Sequence, residues 1–234
     1  MDRRRFLQIS GLTLTAGAIG CNSDGPNAAR ELLEDMQNRN ERVERALFRH
    51  TSMDHVRKSA RNSGAAFPKY YISDELPVWD ESARGVWRLE VAGAVRKPLS
   101  LTLSDLQKLP RRTQRVNHYC VEGWLAVAAW SGVRVSDIAK AAQITDDADY
   151  VDFQSFDSGY HESWDIDSAL HPQTLIAYGM DGRFLGAEHG APARLHSPIK
   201  LGYKSTKYLT RIVFMPRRNG GYWSDKGYEW YGGV

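Results

Sequence analysis

Apolar positions near the amino terminus recur at helical spacing. From Ala28 to Phe48, Leu32, Leu33, Met36, Val43, Ala46 and Leu47 fall three and four residues apart, and charged residues fill the other face. That pattern predicts an amphipathic helical arm. Beyond Tyr70 the period shortens to two: Val86 to Ala92 alternates apolar and polar residues as a strand does. Thr113 to Tyr119, Tyr150 to Phe156, Leu175 to Met180, Ala193 to His196 and Lys207 to Met215 read as further strands, separated by turns that Gly and Pro mark. Two brief helices interrupt them, Ser104 to Leu109, stopped by Pro110, and Val135 to Ala142, with Ser136 as its candidate cap. Many short strands with few helices predict a mixed, β-rich α+β domain rather than the regular alternation of a Rossmann fold. No internal repeat or low-complexity tract interrupts the pattern.

A length of 234 residues gives room for one sizeable domain and a short appendage. With 42% hydrophobic and 25% charged residues, the chain is neither globally disordered nor a multi-span membrane protein. A net charge of +3 is too small to point to a nucleic-acid partner. The two cysteines, Cys21 and Cys120, exclude an iron–sulfur cluster held wholly by this chain, a four-cysteine zinc site and a disulfide framework. There is no CxxCH haem-attachment sequence.

The first residues read as an address. Arg3-Arg4-Arg5-Phe6-Leu7 precedes a small-residue apolar stretch, Ile9 to Gly20, that is too short to span a bilayer. The Arg-Arg-x-Phe-Leu order resembles a twin-arginine export signal, with an ordinary secretory signal as the alternative. Ala18-Ile19-Gly20-Cys21 resembles a lipoprotein cleavage box, although Ala18 stands where leucine is preferred; simple cleavage nearby is the other reading. The expected organisation is a signal peptide at 1–21 with Cys21 as a candidate lipidation site, a linker and helical arm at 22–66, and the main domain at 67–234. The arm lies across the main domain or tethers it to the anchor. The expected location is the periplasm or cell envelope.

One cysteine then remains in the main domain, in Val116-Asn117-His118-Tyr119-Cys120-Val121-Glu122-Gly123-Trp124. A thiolate is a soft ligand that cannot hold a metal alone but can complete a coordination sphere supplied by an organic cofactor. A buried structural cysteine is the plain alternative. Cys-Val-Glu-Gly-Trp, followed by Ala129-Trp130-Ser131-Gly132-Val133, resembles the molybdenum-ligating segment of the sulfite oxidase family of molybdopterin oxidoreductases, and within it the periplasmic methionine sulfoxide reductases. Downstream, Ala177 to Gly182, His189-Gly190-Ala191-Pro192-Ala193-Arg194, Gly202 to Lys207 and the aromatic run Gly221 to Trp230 recur in that family's order.

The resemblance covers Tyr70 to Val234 and implies a molybdenum centre on Cys120 within a molybdopterin cofactor. It implies that His189, Arg194, Ser205, Thr206 and Lys207 hold the molybdopterin, with Lys207 on its phosphate, and that Ser155 contacts it. Tyr71, Ile72 and Ser73 stand in an early cofactor-contact strand whose usual Asn and Arg are absent here. Without the resemblance, His189 reads as a loop histidine bonded to backbone, and Lys200, Lys204 and Lys207 as a solvated basic face. His118 is not a candidate, and the run Tyr222 to Tyr231 reads as packing or a lid.

The implied reaction is oxygen-atom transfer on sulfur, with electrons exchanged with a separate protein such as a cytochrome or haem membrane protein. Glu122 and Trp124 stand where sulfite oxidases carry arginines, which favours reduction of a neutral S-oxide or N-oxide, such as methionine sulfoxide, over sulfite oxidation. The family's sulfite oxidases continue into an immunoglobulin-like dimerisation domain beyond the point where this chain ends, so a monomer is expected. A non-catalytic, surface-tethered binding module that kept the fold and lost the metal is the rival of another class.

Overall fold

The computed structural model describes residues 27–47, 67–157 and 159–234. The proposed signal, Cys21 and the basic connection Arg57 to Ala66 lie outside the described residues. The chain divides into two compact units, Met1–Leu47 and Phe48–Val234. The described part of the first is one helix, α1 (Asn27–Leu47), as the periodicity predicts. Leu32, Met36, Val43 and Leu47 are exposed on it, and Arg39–Asp35 and Arg45–Glu41 pair one turn apart. Among the described residues no helix is long and apolar enough to cross a membrane.

The second unit is built on two five-stranded sheets. In the first, β2 (Leu99–Thr102), β1 (Arg88–Gly93), β10 (Leu209–Met215), β5 (Tyr150–Ser155) and β6 (His161–Asp165) lie side by side in that order. Only β1 and β10 run parallel, with Glu90 beside Arg211, so the early and late parts of this unit are joined by one ladder. In the second, β3 (Arg111–Tyr119), β4 (Leu125–Arg134), β7 (Leu175–Met180) and β8 (Arg183–Phe184) are antiparallel, and β9 (Arg194–His196) pairs with β7. Helices are few and short: α2 (Glu81–Arg84), α3 (Leu103–Lys108), α4 (Val135–Ala142) and α5 (Ile166–Leu170). The expected β-rich α+β class holds.

Two buried clusters form the core, and the first draws on both sheets, with Val133, Ile176, Tyr178 and Leu195 of the second sheet joining it. Leu89, Val91, Val151, Phe153, Ile212 and Phe214 of the first sheet pack with Ile138 and Ala142 of α4. Val116, Ala126, Ala128, Trp130 and Ala177 of the second pack with Phe67. Each cluster is assembled from alternate strand positions, which is how a pleated sheet commits one face to the core.

The longest strand, β4, escaped the periodicity because it is buried almost throughout. Ala126, Val127 and Ala128 and then Trp130 to Val133 are all inaccessible, so no polar face alternates with the apolar one. Its small residues also have a role: a Cβ on Gly132 would stand 2.1 Å from the Ile176 carbonyl oxygen across the ladder. The cap of α4 differs from expectation as well. Arg134, not Ser136, precedes the helix, and it makes no cap bond from its side chain but pairs with Asp137 at 3.0 Å through both guanidinium and carboxylate.

The basic run near the carboxyl end is the clearest correction. Lys200 and Lys204 are not a solvated face: they are 2% and 0% exposed. Lys200 Nζ donates to Asp165 at 3.2 Å and to the Tyr231 carbonyl at 2.8 Å. Lys204 Nζ donates to Glu162 at 2.6 Å and to the Ser163 carbonyl at 3.0 Å. Charge in a segment read alone means solvent; here each lysine meets a buried carboxylate from β6.

Candidate functional site

Strands β3 and β4 form a hairpin, and Cys120 is the first residue of its tip. The turn closes by Cys120 N donating to Trp124 O and Gly123 N donating to Cys120 O, both at 3.0 Å. Gly123 supplies the positive φ, +85°, that such a tip requires. The Cys120 side chain is partly buried and faces a cavity of about 360 Å³. Its thiol lies 3.8 Å from a Glu122 carboxylate oxygen, and burial with that neighbour pushes it above the ordinary thiol range. Glu122 is itself held by Tyr70 OH at 3.0 Å and Trp124 Nε1 at 2.9 Å, and those donors keep its carboxyl below the usual range.

Part of the same wall is cationic. Arg194 opens β9 and is 2% exposed. Its guanidinium donates to the carbonyls of Leu195, His189 and Ser205 at 3.1–3.3 Å and lies 5.0 Å from the Trp130 ring centroid. Burial lowers its pKa to about 10, so it stays charged at neutral pH. Lys207 Nζ donates to the Tyr70 carbonyl at 2.5 Å and the Glu188 carbonyl at 2.8 Å. Gly190, at φ +100°, lets the loop before Arg194 pass so close that a Cβ there would meet the Lys207 side chain at 2.9 Å.

Of the residues expected at the site, Tyr71, Ile72, Cys120, Ser155, Arg194, Ser205 and Lys207 line this one cavity. Ser73, His189 and Thr206 do not. Ser73 stands behind the wall, its hydroxyl bonded to Asp157, which also accepts from Ile72 N at 3.0 Å and so fastens that segment. His189 contributes its carbonyl to Arg194 and sets its ring against Phe67, with Nδ1 buried and unpartnered among the described residues. Thr206 is wholly buried, and its backbone carbonyl accepts from Leu195 N at 2.8 Å. His118 turns into the core between Phe67 and His196, where burial, Arg194 and Lys207 drive its pKa down to about 3.

Sequence reasoning missed Tyr70, Asp157, Tyr160 and Tyr208 on the wall, and it left Trp223 and Tyr228 undecided between packing and lid. Both of the last two line the cavity, whereas Trp230 and Tyr231 are packing residues, 8% and 5% exposed. Of these, Tyr70 and Tyr208 carried a signal from position: Tyr70 directly precedes the Tyr71-Ile72-Ser73 segment and Tyr208 directly follows Ser205-Thr206-Lys207. The Tyr208 φ of +55° is unusual for a tyrosine, and both its backbone groups are bonded, N to Gly190 O and O from Phe156 N.

A phosphate-bearing pterin fits this arrangement on three counts. A buried guanidinium, Arg194, and a half-buried amine, Lys207, donate only to backbone carbonyls among the described residues, which leaves their charge for an anion. The hydroxyls of Ser205 and Tyr208 are buried with no partner among the described residues. Finally, no group of three His, Cys, Asp or Glu among the described residues could hold a metal by protein ligands alone, so a metal on Cys120 needs ligands from the cofactor.

The electrostatics give a measurable consequence. Burial first, then Arg194, pull the Lys207 amine down to about 7, while Asp157 and Glu188 act the other way. The unfolded side chain titrates near 10.4. Between about 7 and about 10 the unfolded chain therefore binds more protons, and stability of the empty domain rises with pH across that window. An anion beside Lys207 favours the charged amine instead. Binding of pyrophosphate at pH 8 is expected to take up a fraction of a proton, and affinity to fall as pH rises. Calorimetry in two buffers of different ionisation enthalpy reads that uptake as a difference between the observed heats, and identical observed heats in the two buffers would contradict the assignment.

Comparison with known proteins gives the family. The family model for the oxidoreductase molybdopterin binding domain matches residues 75–223. A protein of Azospira oryzae assigned as protein-methionine-sulfoxide reductase subunit YedZ1 is 36% identical over 236 residues, covering 99% of this chain and 87% of its own. The protein-methionine-sulfoxide reductase catalytic subunit MsrP of Xanthomonas axonopodis pv. citri is 32% identical, covering 99% of this chain and 75% of its own. Among solved structures, the sulfane dehydrogenase SoxCD of Paracoccus pantotrophus shares the fold with a TM-score of 0.54 at 23% identity, covering 56% of this chain and 38% of that one.

Proposed function

The chain belongs to the molybdopterin-binding oxidoreductases of the sulfite oxidase family, and from that premise we propose that it reduces a sulfoxide, with methionine sulfoxide as the substrate class. The observation that carries this reading is that the sole cysteine of the main domain and the Arg194–Lys207 cationic pair share one cavity. Cys120 offers a soft anchor for molybdenum, and Arg194, Lys207 and Ser205 offer donors to the pterin's phosphate. The bound molybdenum cofactor supplies the two-electron redox change coupled to movement of one oxygen atom.

The protein's own contribution is orientation and exclusion. Tyr71, Trp223 and Tyr228 give the cavity apolar and aromatic walls suited to a thioether side chain. Reduction of R₂S=O consumes two electrons and two protons and yields R₂S and water. The electrons come from a separate redox protein, since this chain has no haem-attachment sequence and too few cysteines for a cluster. Sulfite oxidation is disfavoured by Glu122, whose carboxylate lies 3.8 Å from the Cys120 sulfur, where an anionic substrate would meet like charge. Export by the twin-arginine route to the periplasm, with lipid attached at Cys21, completes the proposal and rests on the first twenty-one residues alone.

The deciding experiment uses full-length protein from a host that makes molybdopterin. One molybdenum and one pterin per chain are expected, with reoxidation of the reduced centre by methionine sulfoxide faster than reduction of the oxidised centre by sulfite. The opposite ratio would reverse the direction. Folded protein with neither component would leave only the binding-module reading.

A further inference from the structure

The phenol of Tyr208 is buried with no hydrogen-bond partner among the described residues, although a tyrosine hydroxyl in a protein interior ordinarily finds one. The residue is 1% exposed, and it forms part of the wall of the Cys120 cavity. Its ring packs against Phe156, with centroids 5.3 Å apart. The charged and polar groups whose fields reach the hydroxyl are Asp157, Arg194, Tyr71 and Glu188. Ser205 Oγ is a second unpartnered hydroxyl on the same wall, and the Ser205 carbonyl accepts from Arg194 at 3.3 Å.

Two idle hydroxyls beside two cations make a region with donors to spare, and the nearby Asp157 carboxylate on the same wall is already taken by Ile72 N and the Ser73 hydroxyl. A neutral ring edge would answer some of the donors but not the charge, whereas a phosphate oxygen answers both. We propose that Tyr208 is a cofactor-binding residue whose hydroxyl donates to a phosphate oxygen of the pterin, alongside Arg194, Ser205 and Lys207. The assignment rests on the reading above that the cavity takes a phosphate-bearing pterin. The left-handed backbone of Tyr208, fixed by Gly190 and Phe156, is what holds the ring on this wall at the start of β10.

Tyr208→Phe tests it, in full-length protein from hosts that do and do not make molybdopterin. In the empty form the variant is expected to melt at the wild-type temperature or above, because the lost hydroxyl had no partner. In the loaded form it is expected to release pterin about tenfold faster, the effect of one charge-assisted hydrogen bond, and the phosphorus resonance of the bound cofactor is expected to shift. Equal destabilisation of both forms would make the hydroxyl merely structural and overturn the proposal. Faster release with an unmoved phosphorus resonance would place the bond on the pterin ring and overturn the phosphate assignment. Wild-type retention and an unmoved resonance together would overturn it outright. Wild-type protein that takes up no pterin would instead overturn the functional reading and this assignment with it.

Discussion

Cys120→Ala is expected to lower sulfoxide-dependent turnover by about a thousandfold or more while leaving the fold intact. The fold survives because the hairpin tip is closed by backbone bonds of Cys120 and Gly123, which alanine keeps, and because the thiol's hydrogen-bond contact among the described residues is the long 3.8 Å approach to Glu122. Activity does not survive, because no other described residue cluster can replace a soft anionic ligand at that point. Changes one shell further from a metal already cost ten- to a hundredfold, so loss of the protein's own ligand should exceed that range.

The same variant separates the two halves of the cavity. Arg194 and Lys207 bind through groups that Cys120 does not touch among the bonds described. Cys120→Ala protein is therefore expected to retain pterin while losing molybdenum, as read by metal analysis beside pterin fluorescence. Cys120→Ser, with a harder oxygen at the same place, should recover little. Metal-dependent turnover at the wild-type rate in either variant would remove Cys120 from the mechanism.

How much of this is legible in the sequence differs by residue type. Helix α4 and strand β7 were readable to the residue, because local periodicity and the core face agree there. Strand β4 was not, because a strand covered on both faces has no period to read. At the site, the hairpin tip and the Arg194 loop were legible from motif order, and Cys120, Arg194, Ser205 and Lys207 do line one cavity. Ser73 and Thr206 lie behind the wall because neighbours in a segment share its location but not its facing. Asp157 and Tyr160 come from the β5–β6 connection, and nothing local distinguishes them from any other loop aspartate and tyrosine.

That connection leads into β6, where the second large effect is expected: Glu162→Ala should cost about 3–5 kcal/mol of stability, the range for removing one partner of a buried ion pair. Glu162 is fully buried and accepts from Lys204 Nζ at 2.6 Å, Trp223 N at 2.9 Å and Ser224 Oγ at 3.1 Å. Alanine leaves all three donors without that acceptor, and the Lys204 charge buried at 0% exposure without its carboxylate. In a unit of this size the loss should appear as a fall in melting temperature on the order of 10 °C. Because β6 is an edge strand, the carboxyl-terminal segment covers what would otherwise be an open ladder, and Glu162 is the knot that ties it. Trp223 and Tyr228 ride on that segment into the cavity wall, so KM for the sulfoxide should rise as well. The paired replacement Glu162→Leu with Lys204→Met should recover much of the stability, since no charge is then left uncompensated. If the single and double variants melt alike, the pair does not hold the segment and its anchorage lies in Trp230, whose indole donates to Ser163 Oγ at 2.8 Å.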